Sequence, residues 1–124
     1  MEFFDADIER IKTEGAVVSE YADFEILRIT NDAKPILLRM GEFDVPAYNV
    51  TIYESAVGNN LARSTGSAVA LFTIQGDRVK FSFRSEAGHS PSSLELAKIL
   101  GGGGHQNAAG AETSLQQFFE MLKK

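Results

Sequence analysis

Two stretches of the chain carry residue types that do chemistry. One reads GGGGHQNAAG over residues 101–110, four glycines and then one of only two histidines. The other reads RVKFSFRS over residues 78–85 and ends with Arg84 beside Ser85 and two residues after Ser82. Glycine lets a main chain approach a ligand closely, and successive N–H groups can converge on an anion. Gly101 is accounted for as the C-cap of a preceding helix, which leaves Gly102, Gly103 and Gly104 as candidate phosphate-binding residues. The His105 imidazole can donate a hydrogen bond to a phosphate oxygen, and Asn107 adds a polar group two residues on. Arg84 is the candidate cation, with the Ser82 and Ser85 hydroxyls as further phosphate donors.

Each feature has a plainer alternative: a flexible linker, a hydrogen-bonded loop histidine, a solvated strand-end arginine. The run does not match a phosphate-binding P-loop, because no GK[ST] follows and the element before it reads as a helix. A helix C-terminus repels anions, so affinity here has to come from the backbone, His105 and Arg84. Catalytic residues are not apparent. Nothing resembles GxSxG or SxxK, no carboxylates are paired, and the expected metal ligands in this chain are none. His89, in AGHSP, reads as exposed.

The elements that position these residues follow from periodicity. Asp5 or Asp7 can cap a first helix with Ile8, Ile11, Val18 and Tyr21 near helical spacing, weakened by Gly15. Residues 24–30 and Ile36–Met40 are short apolar runs, the second a strand, with Pro35 stopping what precedes it. Residues 47–52 read as a strand and 54–63 as a short helix. In that helix Gly58, Asn59 and Asn60 are poor helix formers, so something other than propensity selects them.

Residues 67–74 and Arg78–Arg84 form a hairpin pattern about Gly76-Asp77. Val79, Phe81 and Phe83 face the core, so Lys80, Ser82 and Arg84 share the other face. Ser92 and Glu95 make a capping box for a helix with Leu94, Ala97 and Ile99 on its buried side. A last helix begins at Thr113 or Ser114, with Leu115, Phe118, Phe119 and Leu122 as its apolar stripe. Ser114 and Gln117 can form a second capping box, and Lys123 and Lys124 suit that helix's C-terminal dipole. The pattern predicts one compact α/β domain, a mixed sheet of about five strands flanked by helices.

Composition bounds the function. The 124 residues suit one domain, with 44% hydrophobic and 23% charged residues and no cysteine. Thiol chemistry and disulfides are thereby excluded. The net charge of −5 argues against broad nucleic-acid binding through neutralised phosphates. Charge is uneven, however: residues 1–62 hold 12 acids and 5 bases, residues 63–124 hold 5 acids and 7 bases. The half with the glycine run is the basic half. No apolar run approaches a membrane span and the N-terminus lacks a secretory pattern, so a cytoplasmic protein without a membrane partner is the expectation.

In order along the chain, VPAYNV, ESAVGNNLA, RVKFSFRS and LAKILGGGGHQNAAG resemble the C-terminal associated domain of the DHH phosphoesterases. That family includes RecJ-like exonucleases and nano-RNase/pAp phosphatases. The resemblance spans residues 45–110 and divides the chain into a lead-in, connector and first strand (1–44) and the associated domain (45–124).

It implies a substrate-binding domain that grips phosphates through Arg84, Gly102, Gly103, Gly104 and His105, less firmly Asn107. Ser82 and Ser85 rest on proximity in sequence. It also implies an N-terminal DHH catalytic domain, in cis or trans, that holds divalent metal, usually manganese. No DHH triplet occurs in this sequence, so the chain is expected to bind a short oligonucleotide or nucleotide without cleaving it. Where the family often starts the helix before the glycines with an Asp-Val-Ser-like segment, this chain has Pro91-Ser92-Ser93, which keeps the capping chemistry. A stand-alone nucleic-acid-binding module, like the related domain that ends alanyl-tRNA synthetases, is the alternative. A structural or oligomerisation domain with a vestigial site is another, and a homodimer is compatible with each.

Overall fold

The computed structural model describes residues 8–123, with side chains from residue 20 onward. The suggested caps Asp5 and Asp7, the side chains of Ile8, Ile11 and Val18, and Lys124 lie outside the described residues. Helix α1 (Ile8–Asp32) continues through Gly15 and takes in the apolar run at 24–30. Ile26, Ile29 and Ala33 follow helical spacing and pack on a neighbouring cluster, which places that run on a helix face. Tyr21 points away, 62% exposed.

After Pro35 come β1 (Ile36–Met40) and β2 (Phe43–Asn49), then α2 (Glu54–Thr65), β3 (Val69–Gln75) and β4 (Arg78–Arg84). The chain continues through α3 (Ser93–Ile99), β5 (Gly103–His105), β6 (Ala108–Ser114) and α4 (Leu115–Met121). The strand predicted at 47–52 thus starts earlier and ends at Asn49. The six strands form one mixed sheet in the order β1-β2-β3-β4-β6-β5. Only β2 and β3 run parallel, joined by the α2 crossover; every other neighbouring pair is antiparallel. The strand beyond the expected five is β5.

Alternation along the strands sorts the apolar residues into two layers. Ala70, Phe72, Val79, Phe81 and Phe83 face α3 and α4, where they meet Leu96, Ala97, Phe118 and Met121. Phe118 sits at the centre of that layer, 5.0 Å from Phe72 and 6.0 Å from Phe81 between ring centroids. Tyr48, Val50, Val69 and Leu71 face the opposite way, toward Val57, Leu61 and Ala62 of α2. We call this second side the α2 face. Helices α3 and α4 therefore bury the core side of the sheet, and α1 and α2 cover part of the other side, where α2 packs on β3 and β4.

Ser92 caps α3 with the reciprocal Glu95 contact expected. On that short helix Leu96 and Ala97 turn inward, leaving Ile99 44% exposed and Leu94 only half-buried. In α4, Ser114 accepts from the Gln117 N–H at 3.1 Å. Phe118 and Met121 face the core there, and Phe119 is exposed. Lys123 reaches Asp44 of β2, 2.6 Å away, instead of the helix end.

Candidate functional site

The glycine run closes α3 and enters the edge strand β5 at Gly103, and its four members do different things. Gly101 takes φ +80°. Its N–H donates to the Lys98 carbonyl, and the Gly102 N–H to the Ala97 carbonyl, a Schellman closure of α3. The Gly101 cap is as read from the sequence, but the Gly102 N–H, expected to be free for an anion, is spent on the helix end as well. Gly102 lies so close to β6 that a Cβ there would collide with the Gly110 carbonyl and stand 2.7 Å from the Ala111 Cβ. Gly104, at φ +144°, would place a Cβ 2.6 Å from the Ala109 Cα. Gly103 is different: it is exposed, and a Cβ there would meet nothing within 4 Å. Packing does not require glycine at that position.

Register puts the remaining residues together. Arg84 pairs with Ala108 across β4 and β6, and Ala108 with His105 across β6 and β5. One pleat along, Ser82 pairs with Gly110, and Gly110 with Gly103. Directly opposed residues point to the same side of a sheet. Arg84, His105, Ser82 and Gly103 are therefore on the α2 face, around a floor of Ala108 and Gly110. The small floor residues leave a trough between an arginine wall and a histidine wall. An exposed imidazole and a guanidinium facing a shallow trough suit an oxyanion such as phosphate.

Helix α2 positions the arginine. Arg84 donates from Nη2 to the Ser55 hydroxyl at 3.0 Å. Its stem crosses Gly58, where a Cβ would lie 2.5 Å from the Arg84 Cγ and 3.1 Å from the Leu71 Cδ1. Gly58, a poor helix former, is there so that the arginine can lie flat on the helix. Arg84 Nε and Asn107 Oδ1 are buried polar atoms with no partner among the described residues. Arg84 is Ala108's cross-strand partner, so its Nε lies beside the trough, and Asn107 belongs to the β5–β6 turn that leads into Ala108. Buried polar atoms normally find partners, and this pair marks where the site's hydrogen bonding is incomplete.

Ser85 stands apart from the other candidates. It faces away from Arg84 and is buried. The Ser93 N–H donates to its hydroxyl at 3.0 Å, the Ser93 hydroxyl lies 2.9 Å away, and Ser85 Oγ donates to the Gln106 carbonyl. That hydroxyl ties the end of β4 to the start of α3 and to the β5–β6 turn. His89 is half-buried, its Nδ1 3.1 Å from the Pro91 carbonyl. Sequence reasoning missed Ser55, Ala108 and Gly110. Gly58 carried a signal, its cost to the helix, but not its partner.

Among the described residues, no group of three or more His, Cys, Asp or Glu comes together to hold a metal. No described helix is long and apolar enough to cross a membrane. These residues therefore do not fit the divalent metal that the resemblance assigns to a catalytic domain.

The family model of the DHHA1 domain matches residues 43–124, from the first residue of β2 through α4. The chain belongs to this family, the DHH-associated domains, whose partner is usually an N-terminal DHH catalytic domain. No curated protein matches the chain.

Proposed function

We propose that this chain is the substrate-holding part of a DHH-type phosphoesterase. The trough between Arg84 and His105 takes a phosphate of a nucleotide or short oligonucleotide. Ser82 and the exposed backbone of Gly103 line it. The observation that carries this reading is the register that brings Arg84 and His105 to one face on either side of Ala108.

In this reading a DHH domain, in the same chain or another, supplies divalent metal and the activated water. This chain supplies position, holding the scissile phosphate so that attack becomes effectively intramolecular. Arg84 is held by Ser55 and by the surface of Gly58, so its guanidinium is ordered before a ligand arrives. Such pre-organisation reduces the entropy lost on binding.

Titration of the isotope-labelled chain with a 5′-phosphorylated dinucleotide tests the reading. Amide shifts are expected at Arg84 and at residues 103–108, with binding lost in Arg84→Ala and His105→Ala and no hydrolysis when manganese is added. Affinity that grows with oligonucleotide length and falls steeply with salt would favour a stand-alone nucleic-acid module. Unmoved amides at Arg84 and His105 would overturn the phosphate site altogether.

A further inference from the structure

One buried serine joins the two walls of the trough from behind, and we infer that Ser85 is a positioning residue that sets the spacing of Arg84 and His105. This role rests on the phosphate reading and adds to it a residue that does not face the ligand. Ser85 follows Arg84 directly at the end of β4 and is 6% exposed. Its main chain extends the β4–β6 ladder by one bond, the Ser85 N–H donating to the Asn107 carbonyl at 3.2 Å. Its hydroxyl donates to the carbonyl of Gln106, the residue after His105, at 3.4 Å. From the position next to Arg84, Ser85 thus grips both residues of the turn that joins His105 to Ala108. The arginine wall and the histidine wall are tied through it by a path that does not cross the floor.

Counting protons fixes the direction of these bonds. Ser85 has one hydroxyl proton, and it goes to the Gln106 carbonyl. The Ser93 hydroxyl, 2.9 Å away, is then the donor to Ser85 Oγ, which also accepts the Ser93 N–H at 3.0 Å. Ser93 is wholly buried in the first turn of α3, where N–H groups have no partner within the helix. The Leu94 N–H donates to the Gln106 carbonyl as well, at 3.4 Å. The start of α3 therefore backs the turn, and the capping box of Ser92 and Glu95 holds that start in place. Alanine at position 85 would leave the buried Ser93 N–H without its acceptor and the Gln106 carbonyl with one donor fewer. A buried donor left unpaired is costly, so the turn is expected to shift and carry His105 with it. A misplacement of about 1 Å in a positioned group can cost on the order of a hundredfold.

The test compares the parent chain with Ser85→Ala, Ser85→Thr, Ser93→Ala and Met121→Ala at a temperature where each is folded. Calorimetry with inorganic phosphate and with a 5′-phosphorylated dinucleotide reads affinity, and the His105 ring resonances and amide exchange at residues 105–108 read the turn. Met121→Ala is the control: it removes core packing under α4 and should keep affinity within about twofold while His105 stays unmoved. Ser85→Ala should bind both probes roughly tenfold or more weakly, with shifted His105 ring signals before any ligand is added and faster exchange at 105–108. Ser85→Thr restores the hydroxyl and should recover most of that loss. Ser93→Ala keeps the Ser85 hydroxyl, and its smaller loss carries the test if Ser85→Ala does not fold. Parent-like affinity in Ser85→Ala and Ser93→Ala, or a loss that Met121→Ala matches, would overturn the positioning role. A parent chain that binds neither probe would overturn the phosphate reading instead. Exchange then decides the clamp, and unchanged rates at 105–108 in Ser85→Ala would overturn that too.

Discussion

Arg84 and His105 bracket Ala108: a guanidinium on one neighbouring strand, an imidazole on the other, and a single methyl group between them. Two strand spacings separate their backbones by about 10 Å. Both side chains can close over a tetrahedral oxyanion only because the middle strand contributes so little. The site is defined as much by what Ala108 and Gly110 lack as by what Arg84 and His105 present.

Enlarging the floor should therefore abolish binding without unfolding the chain. Ala108 is half-exposed on the α2 face, so Ala108→Leu adds volume toward the trough and not into the Phe118 layer. Thermal unfolding should shift by less than the equivalent of about 1 kcal/mol, within the usual range for partly exposed positions. Affinity for a 5′-phosphorylated dinucleotide should fall more than tenfold by calorimetry. Unchanged affinity would place the ligand elsewhere.

The glycines should respond to substitution in opposite ways. Gly104→Ala forces a side chain into φ +144° and against the Ala109 backbone, with a loss of about 1–3 kcal/mol in urea unfolding. Gly103→Ala adds a methyl group to open space and should leave stability within about 0.5 kcal/mol. Only the second variant separates binding from folding: its stability should hold while phosphate affinity falls.

Gly58→Ala tests whether α2 was shaped by Arg84. Alanine in a helix is favoured over glycine by about 1 kcal/mol. Here the new methyl group meets the Arg84 Cγ and the Leu71 Cδ1, and overpacking of this kind costs about 1–3 kcal/mol. A net loss of roughly 1 kcal/mol is expected, together with weaker ligand binding as the guanidinium is displaced. Arg84→Ala in the Gly58→Ala background should recover stability. The helix gain alone, with no loss, would show that the arginine stem adapts freely.

Elements that bury one face and repeat cleanly were legible from sequence. Arg78–Arg84 is a strand as read, because Val79, Phe81 and Phe83 leave it no other way to satisfy the core. The capping box at Ser92 was equally local. Strand β5 was not legible, since Gly-Gly-His has no apolar alternation or β-branched residue. It is a strand because β6 offers an open edge and Gly102 and Gly104 tolerate the close approach. The trough was only half visible. Arg84 and His105 stood out by chemistry, but Ala108 and Gly110 acquire meaning only through register, which residue type does not encode. Ile99 was misplaced because a seven-residue helix turns only Ser93, Leu96 and Ala97 fully inward.

Far from the trough, Asp44 should give the fold a measurable acid sensitivity. Its carboxylate lies 2.6 Å from Lys123 Nζ and 3.1 Å from Arg39 Nη1, clamping β1, β2 and the C-terminal end of the chain together. Hydrogen bonds from Lys123 and then Arg39 hold the Asp44 carboxyl below its ordinary pKa. A carboxyl depressed in the folded state stabilises the fold above its unfolded pKa, where both states are ionised. As pH falls from the ordinary carboxylate value through the lower folded one, the unfolded chain takes up the proton first and that stabilisation disappears. Asp44→Asn should lower the melting temperature slightly at neutral pH, as expected for an exposed pair screened by solvent. The difference from the parent chain should shrink to nothing below the folded pKa, and it should shrink at neutral pH in high salt. A difference that persists unchanged into acid would mean that Asp44 acts through packing or its neutral hydrogen bonds, and not through its charge.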